Sequence, residues 1–309
     1  MASGGKGGHD TGAQSDGGDG PTNGGDGSGG ALSHGNAGSG GAHEGDCGEA
    51  VIPSVLLLID NSSSMFDPRE SLWDPLFEAL MKPEDGIVAT FQGEIRFGFT
   101  SFRGGSPGGP ECPVLFEVDY DLDNFEAINA RYSAQNAEWN ESAPYKWDTP
   151  TGAALAKVAQ KLAADTSAPP GPKYIVLVTD GNPNTCTVLD PQCGSDEAIK
   201  AVQDAKALGI TTFVIGMGDL TDSNGGCEAA WGRCGADFMQ DVANAGTGLP
   251  VHAPPEALKY QACTPNNVLA ASYAADPVVP GTATYYAAKN AAELDAAFRE
   301  VLSSVLACE

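Results

Sequence analysis

The sequence predicts an α/β protein, with a doubly wound, mostly parallel sheet flanked by helices and loop insertions that bear disulfides. Three observations carry this. Continuous β-branched and aliphatic runs such as Val55-Leu56-Leu57-Leu58-Ile59 read as strands covered on both faces, as in parallel sheets. These runs alternate with amphipathic helical stretches, the pattern of open doubly wound folds. The composition also breaks sharply at Cys47, where a Gly-rich stretch gives way to this regular alternation.

Residues 1–46 are dominated by Gly, Ser, Asp and Asn and hold almost no large apolar side chain. They cannot bury enough surface to offset the entropy of ordering. They are expected to form a disordered, acidic, Gly-rich linker, with an r.m.s. reach of roughly 35–40 Å for a flexible coil of this length. Residues 47–309 form one domain on this reading.

Within that domain Val55–Ile59 is the first strand. Asp67-Pro68 is expected to open a helix with Leu72, Trp73, Leu76, Phe77 and Leu80 on one face. Residues 95–99 and 114–122 alternate by two and read as strands nearer an edge. Thr149-Pro150 opens a helix running through Leu162, with proline where its missing N–H is harmless. Tyr174–Val178 is a second central strand. Ser195-Asp196-Glu197 is expected to cap a helix bearing Ile199, Val202 and Leu208, which Gly209 ends. Ile210–Ile215 is a third buried strand, Phe238–Ala245 a short helix ended by Gly246, and Thr284–Tyr286 a late strand. Asn290–Leu306 closes the chain with a stripe of Leu294, Phe298, Val301, Leu302 and Val305. Residues 221–235 and 249–281 are Pro- and Gly-rich and read as disulfide-pinned insertions.

Charge and composition exclude several functions. A formal net charge of −25 works against a phosphate-tracking surface, so nucleic acid and anionic membrane are poor partners. The apolar runs are far shorter than the roughly 20 residues of a membrane-spanning helix. Of four histidines, His9, His34 and His43 fall in the Gly-rich stretch, leaving His252 for a folded site. Ser-His-Asp, Cys-His and His-rich zinc chemistries lose their central residue, and no catalytic residue is expected.

Eight cysteines favour an oxidising compartment, so an extracytoplasmic location (secreted, periplasmic or cell surface) is expected. Their spacing leaves 105 full pairings open. Met1 is followed by Ala-Ser-Gly-Gly with no apolar run, so no signal peptide is expected there. The layout of linker and domain suits a surface lipoprotein, although a lipid-bearing N-terminal cysteine is missing from this chain.

The chemistry concentrates where the first strand ends, in Asp60-Asn61-Ser62-Ser63-Ser64. Open α/β sheets bind ligands at the carboxyl ends of their strands. A tight turn there can point Asp60, Ser62 and Ser64 the same way, offering hard oxygen donors of the kind Mg²⁺ and Ca²⁺ take. Val178-Thr179-Asp180-Gly181 brings another carboxylate to the same edge, and Thr149 stands at a helix start facing it. Taken singly, Asp60 and Ser62 read equally well as helix caps and Asp180 as a turn residue.

Together with Thr149-Pro150-Thr151-Gly152-Ala153-Ala154-Leu155, these segments resemble, in order, the three parts of the metal-ion-dependent adhesion site of von Willebrand factor type A domains. The resemblance covers residues 50–305. It implies a Rossmann-like sheet with a metal at its top edge, Mg²⁺ first, with Mn²⁺ and Ca²⁺ as alternatives. It further implies that Ser62 and Ser64 ligate directly, Thr149 directly or through water, and Asp60 and Asp180 mainly through water. An open coordination position would accept an acidic side chain of a protein partner. The implied function is a cation-dependent protein-binding module and not an enzyme. The alternatives are an assembly subunit in which the metal only stabilises the fold, or a metal-assisted hydrolase. The loop 181–194 and the later insertions depart from the family pattern and enlarge the rim.

Some relatives join their termini by a disulfide, which implies Cys47–Cys308. Cys186–Cys193 and Cys227–Cys234 are then expected as local closures, with Cys112–Cys263 left over. Asp119 to Asn124 imitates a calcium loop without its turn glycine or final Glu and reads as a strand with a solvated acidic face. Asp222-Ser223-Asn224-Gly225 is similarly incomplete, and Trp147 is a candidate for the ligand rim.

Overall fold

A computed structural model describes residues 51–105, 111–138, 148–167, 169–181, 183–187, 191–218, 235–252 and 279–307. Outside them fall the linker, Cys47, Cys227, Cys234, Cys263, Cys308, Trp147, the 222–225 segment and most of both insertions.

Six strands form one sheet: β1 (Ser54–Asp60), β2 (Arg96–Arg103), β3 (Val114–Asp121), β4 (Lys173–Thr179), β5 (Ile210–Met217) and β6 (Tyr286–Ala288). Their order is β3-β2-β1-β4-β5-β6, and only β3 runs antiparallel to its neighbour. The chain leaves β1 to one side for β2 and later returns to its other side for β4. The carboxyl ends of β1 and β4 therefore flank a topological switch point, where such sheets bind ligands.

Helices cover both faces: α1 (Trp73–Met81), α2 (Ile87–Phe91), α3 (Phe125–Glu138), α4 (Thr151–Ala164), α5 (Pro191–Ala207), α6 (Gly235–Thr247) and α7 (Ala291–Leu306). Residue parity along β1 sorts the core. Val55, Leu57 and Ile59 pack with α1, α2, α3 and α7 in an aromatic-rich cluster around Trp73, Tyr132, Phe97 and Phe298. Leu56 and Leu58 join the smaller side chains of α4, α5 and α6. Burial on both faces explains why this strand reads as an unbroken apolar run.

Several boundaries differ from the sequence reading. The first helix starts at Trp73 and not at Asp67, after two short 3₁₀ turns. Pro75 is the cause: in a helix begun at Asp67 it would sit in the interior, lacking an N–H and clashing with the preceding turn, whereas in the first turn of α1 it is tolerated. Helix α5 begins a turn earlier than Ser195, with Pro191 as its first residue. Leu208, assigned to its buried stripe, is exposed. Helix α6 runs through Gly246 and stops at Gly248, whose φ of +82° suits glycine. Gly246 serves close packing instead, since a Cβ there would lie 2.0 Å from the Thr212 carbonyl oxygen of β5. Helix α7 is as read, and its stripe is buried. Asn290 accepts the Glu293 amide at 3.0 Å while the Glu293 carboxylate accepts from Lys289 N and Asn290 Nδ2, a reciprocal N-terminal cap. Helices α2 and α3 had no counterpart in the sequence reading.

The cysteine pairing also needs correction. Cys112 bonds to Cys186, with Cα atoms 5.7 Å apart, so neither Cys186–Cys193 nor Cys112–Cys263 forms. The short span does not close because Pro191 starts a helix between its ends. Cys193 is carried into the buried first turn of α5, while Cys186 stays in the exposed loop facing the strand β3 entrance. Cys193 is itself disulfide-bonded, to a cysteine outside the described residues.

Candidate functional site

Asp60 is the last residue of β1 and has no solvent exposure. Its Oδ1 accepts the Ser62 amide at 2.9 Å, and its Oδ2 accepts the Thr179 hydroxyl at 2.6 Å. Thr179 ends β4, directly beside β1, and its own oxygen accepts the Gly181 amide at 3.3 Å. Asp180 follows immediately. It is half-buried, and its charge acts on Asp60.

Ser62 is buried at the entry to a 3₁₀ turn over Ser63–Phe66, but its hydroxyl makes no capping bond. It lies 3.0 Å from Ser64 Oγ instead. Ser64 is hydrogen-bonded to Asp180. Either hydroxyl of the Ser62–Ser64 pair can be the donor. The helix-cap reading of Ser62 is therefore not what the hydroxyl does. Asp60, Ser62, Ser64 and Asp180 form one connected group.

Thr149 is held at the same edge by its backbone. Its N–H donates to Asn184 Oδ1 at 3.1 Å, and its carbonyl accepts the Asn184 amide at 2.8 Å. The preceding residue, Asp148, accepts from Gly104 N at 2.7 Å just beyond β2. The 148–149 segment is thereby tied both to the exit of β2 and to the loop that follows β4.

The electrostatics of the group are unusual. Burial, and then the charge of Asp180, push the Asp60 carboxyl up to about 7, against hydrogen bonds from Thr179 and Ser62 that work to lower it. Burial likewise raises Asp180, opposed by the Ser64 hydrogen bond. Among the described residues no Lys, Arg or His forms an ion pair with either carboxylate. Asn61, between Asp60 and Ser62, is also buried, and neither Oδ1 nor Nδ2 has a hydrogen-bond partner.

Two residues that matter here were not singled out from sequence. Thr179 lies inside the quoted Val178-Thr179-Asp180-Gly181 segment, so a signal was present. Asn184 sits in a loop whose path only tertiary structure reveals. Elsewhere, His252 is tied to a carboxylate away from this group: its Nδ1 lies 2.6 Å from the buried Asp241, which also accepts the His252 amide at 2.8 Å. The 119–124 segment is a strand end as expected. Asn124 Nδ2 donates to the Phe97 and Asp119 carbonyls, and Asp119 pairs with Lys161. Among the described residues no cluster of three or more His, Cys, Asp or Glu side chains could hold a metal.

Residues 54–225, more than half of the chain, match the model of the von Willebrand factor type A domain. The chain belongs to this family. The chain is also similar to several solved structures at low sequence identity. The pilus adhesin SpaC of Lactobacillus rhamnosus GG is 14% identical, with 84% of this chain and 31% of that chain covered and a TM-score of 0.49. The minor pilin PilB of Streptococcus sanguinis is 16% identical over 83% of this chain and 62% of its own, with a TM-score of 0.49. The manganese-loaded TRAP protein of Plasmodium vivax is 18% identical over 62% of each chain, with a TM-score of 0.42. The chain thus spans less than a third of the SpaC chain. No curated protein matches it. Among the described residues of this type A protein, no helix is long and apolar enough to cross a membrane.

Proposed function

We propose that this type A domain is a divalent-cation-dependent protein-binding module, in which Asp60, Ser62, Ser64, Thr149 and Asp180 hold a Mg²⁺-type ion that captures a carboxylate of a partner. The observation that carries this reading is the pair Asp60 and Asp180. Two carboxylates meet at a buried strand edge where, among the described residues, no positive side chain pairs with either. A divalent cation is the counter-charge this arrangement lacks, and two carboxylates with three hydroxyls are the hard oxygen donors that Mg²⁺, Mn²⁺ and Ca²⁺ prefer. Thr179 and the Ser62 amide hold both oxygens of Asp60, which suits it to act through water, while the hydroxyls of Ser62 and Ser64 lie side by side.

When bound, the ion supplies a Lewis-acidic position for a ligand oxygen. The chain's own residues fix the donors and exclude bulk water from Asp60. No described histidine, lysine or second carboxylate pair stands at this edge to serve as a general base, which favours binding over hydrolysis. The disulfide-bonded Cys112, Cys186 and Cys193 support an extracytoplasmic setting, with residues 1–46 as the tether. The test is capture of a protein partner by the immobilised domain in Mg²⁺. Capture is expected to be reversed by EDTA and absent for Asp180→Ala, and equal capture in excess EDTA would overturn the proposal.

A further inference from the structure

Thr149 sits in a closed circuit of ties that the site chemistry alone does not require. From Gly104 at the exit of β2, the chain continues to Gly105, whose backbone adjoins Glu111: a Cβ on Gly105 would lie 2.2 Å from the Glu111 oxygen. Cys112 follows and is bonded to Cys186. Two residues before Cys186, Asn184 grips both the N–H and the carbonyl of Thr149. Asp148 then returns the circuit to Gly104 at 2.7 Å. The loop bearing Asn184 has little freedom at its far end, because a Cβ on Gly194 would lie 2.1 Å from the Pro183 oxygen.

We propose that Asn184 and the Cys112–Cys186 disulfide are positioning residues for the cation, setting its affinity by fixing Thr149 in place. The proposal rests on the metal reading given above. Four of the five oxygen side chains come from the exits of β1 and β4, which hydrogen-bonded sheet holds rigid. Thr149 comes from the connection between α3 and α4 and has no strand to place it. Its N–H is instead taken by Asn184 and its carbonyl is shared between the amides of Asn184 and Thr151, each at 2.8 Å, and that asparagine lies two residues from the disulfide. Groups that orient metal ligands in this way typically carry about 10- to 100-fold of metal affinity. Cys186 is exposed, so the anchor is open to thiol–disulfide exchange with a dithiol, which would leave Cys112 and Cys186 as two thiols and oxidise the dithiol to its disulfide.

The test measures Mn²⁺ affinity by calorimetry for the wild type, Asn184→Leu, Asn184→Asp and the double variant Cys112→Ser/Cys186→Ser. Hydrogen exchange of the Thr149 amide and far-UV circular dichroism are recorded on the same metal-free proteins. Asn184→Leu and the double variant are expected to bind Mn²⁺ about 10-fold more weakly or worse, with faster Thr149 exchange and unchanged circular dichroism. Asn184→Asp keeps the acceptor and should retain wild-type Thr149 protection and affinity within a few-fold. Wild-type affinity in a folded Asn184→Leu overturns the proposal, and this variant decides alone if the cysteine pair does not fold. A wild type that binds no Mn²⁺ defeats the metal reading and this proposal with it. Binding that is strong in the wild type and undiminished in the variants defeats only the positioning role.

Discussion

The two ends of β1 are equally buried and electrostatically opposite. At its amino end Arg96 on β2 is buried, yet its guanidinium donates to Ser54 Oγ at 3.0 Å, Tyr120 O at 3.0 Å, Ser167 Oγ at 2.7 Å and Asp165 at 3.3 Å. Burial works to raise the Asp165 carboxyl, but hydrogen bonds from Ser167 and then Arg96 outweigh it and hold the group below its ordinary range. At the carboxyl end Asp60 faces Asp180, and burial and like charge drive it the other way. The first end is closed within the protein, every charge having its partner. The second is left open, and an open buried charge is where a ligand is expected.

The comparison can be broken from either end. The largest effect belongs to the closed end: Arg96→Met removes four hydrogen bonds of a buried guanidinium and the ion-pair partner of Asp165, so urea unfolding should show a loss of about 3–5 kcal/mol. Mg²⁺ affinity of the folded fraction should not change, because the two ends share no contact. A loss of metal binding there would mean that the ends are coupled.

Next in size is the pH dependence of the metal-free protein. Asp60 binds its proton more tightly folded than unfolded, so between pH 4 and pH 7 the native state holds more protons than the unfolded chain. Stability should therefore be highest below about pH 4 for this group and fall as pH rises through about 7, by about 4 kcal/mol at most. Saturating Mg²⁺ should flatten that fall, because the ion favours the ionised pair. Thermal melts across this window, with and without Mg²⁺, check both signs. Asp180→Asn should also flatten it, by removing the like charge.

The smallest effect is a control on the surface. Lys161 pairs with Glu117 at 3.2 Å and Asp119 at 2.9 Å, but Lys161 and Asp119 are exposed and Glu117 is partly so. Lys161→Ala should change stability by no more than about 0.5 kcal/mol. A larger loss by urea unfolding would show that exposed pairs count for more here than burial suggests.

What could be read in advance follows the range of the interactions. The strands β1, β4 and β5 and helices α4 and α7 were legible because their signals are local: unbroken apolar runs, a proline at a helix start, an asparagine cap. Asp60, Ser62, Ser64 and Asp180 were legible for the same reason, each lying within a few residues of a strand end. Thr149 was placed near them from its position at a helix start and its ligand role came from the family resemblance; its backbone is tied to Gly104 after β2, through Asp148, and to Asn184 in the loop after β4. The disulfide was not legible, since Cys112 and Cys186 are 74 residues apart and meet only after the sheet brings their loops together. The same holds for Asn184. Leu208 misled because a periodic stripe says nothing about where its helix runs out of neighbours. Gly246 misled because a close approach to β5 and a helix end both call for glycine. Helix α3 escaped because its exposed positions are strongly polar and its buried side chains, Phe125, Ile128, Tyr132 and Gln135, include two that carry polar atoms.

The central claim is that the open end of β1 holds a cation. Calorimetric titration of Mg²⁺ into the wild type and Asp180→Asn near pH 8, above the raised carboxyl of Asp60, tests it directly. One saturable site in the wild type, lost in the variant, is the result expected. No binding, or binding undiminished without Asp180, would contradict it and return the five oxygen-bearing side chains to the role of turn and edge residues.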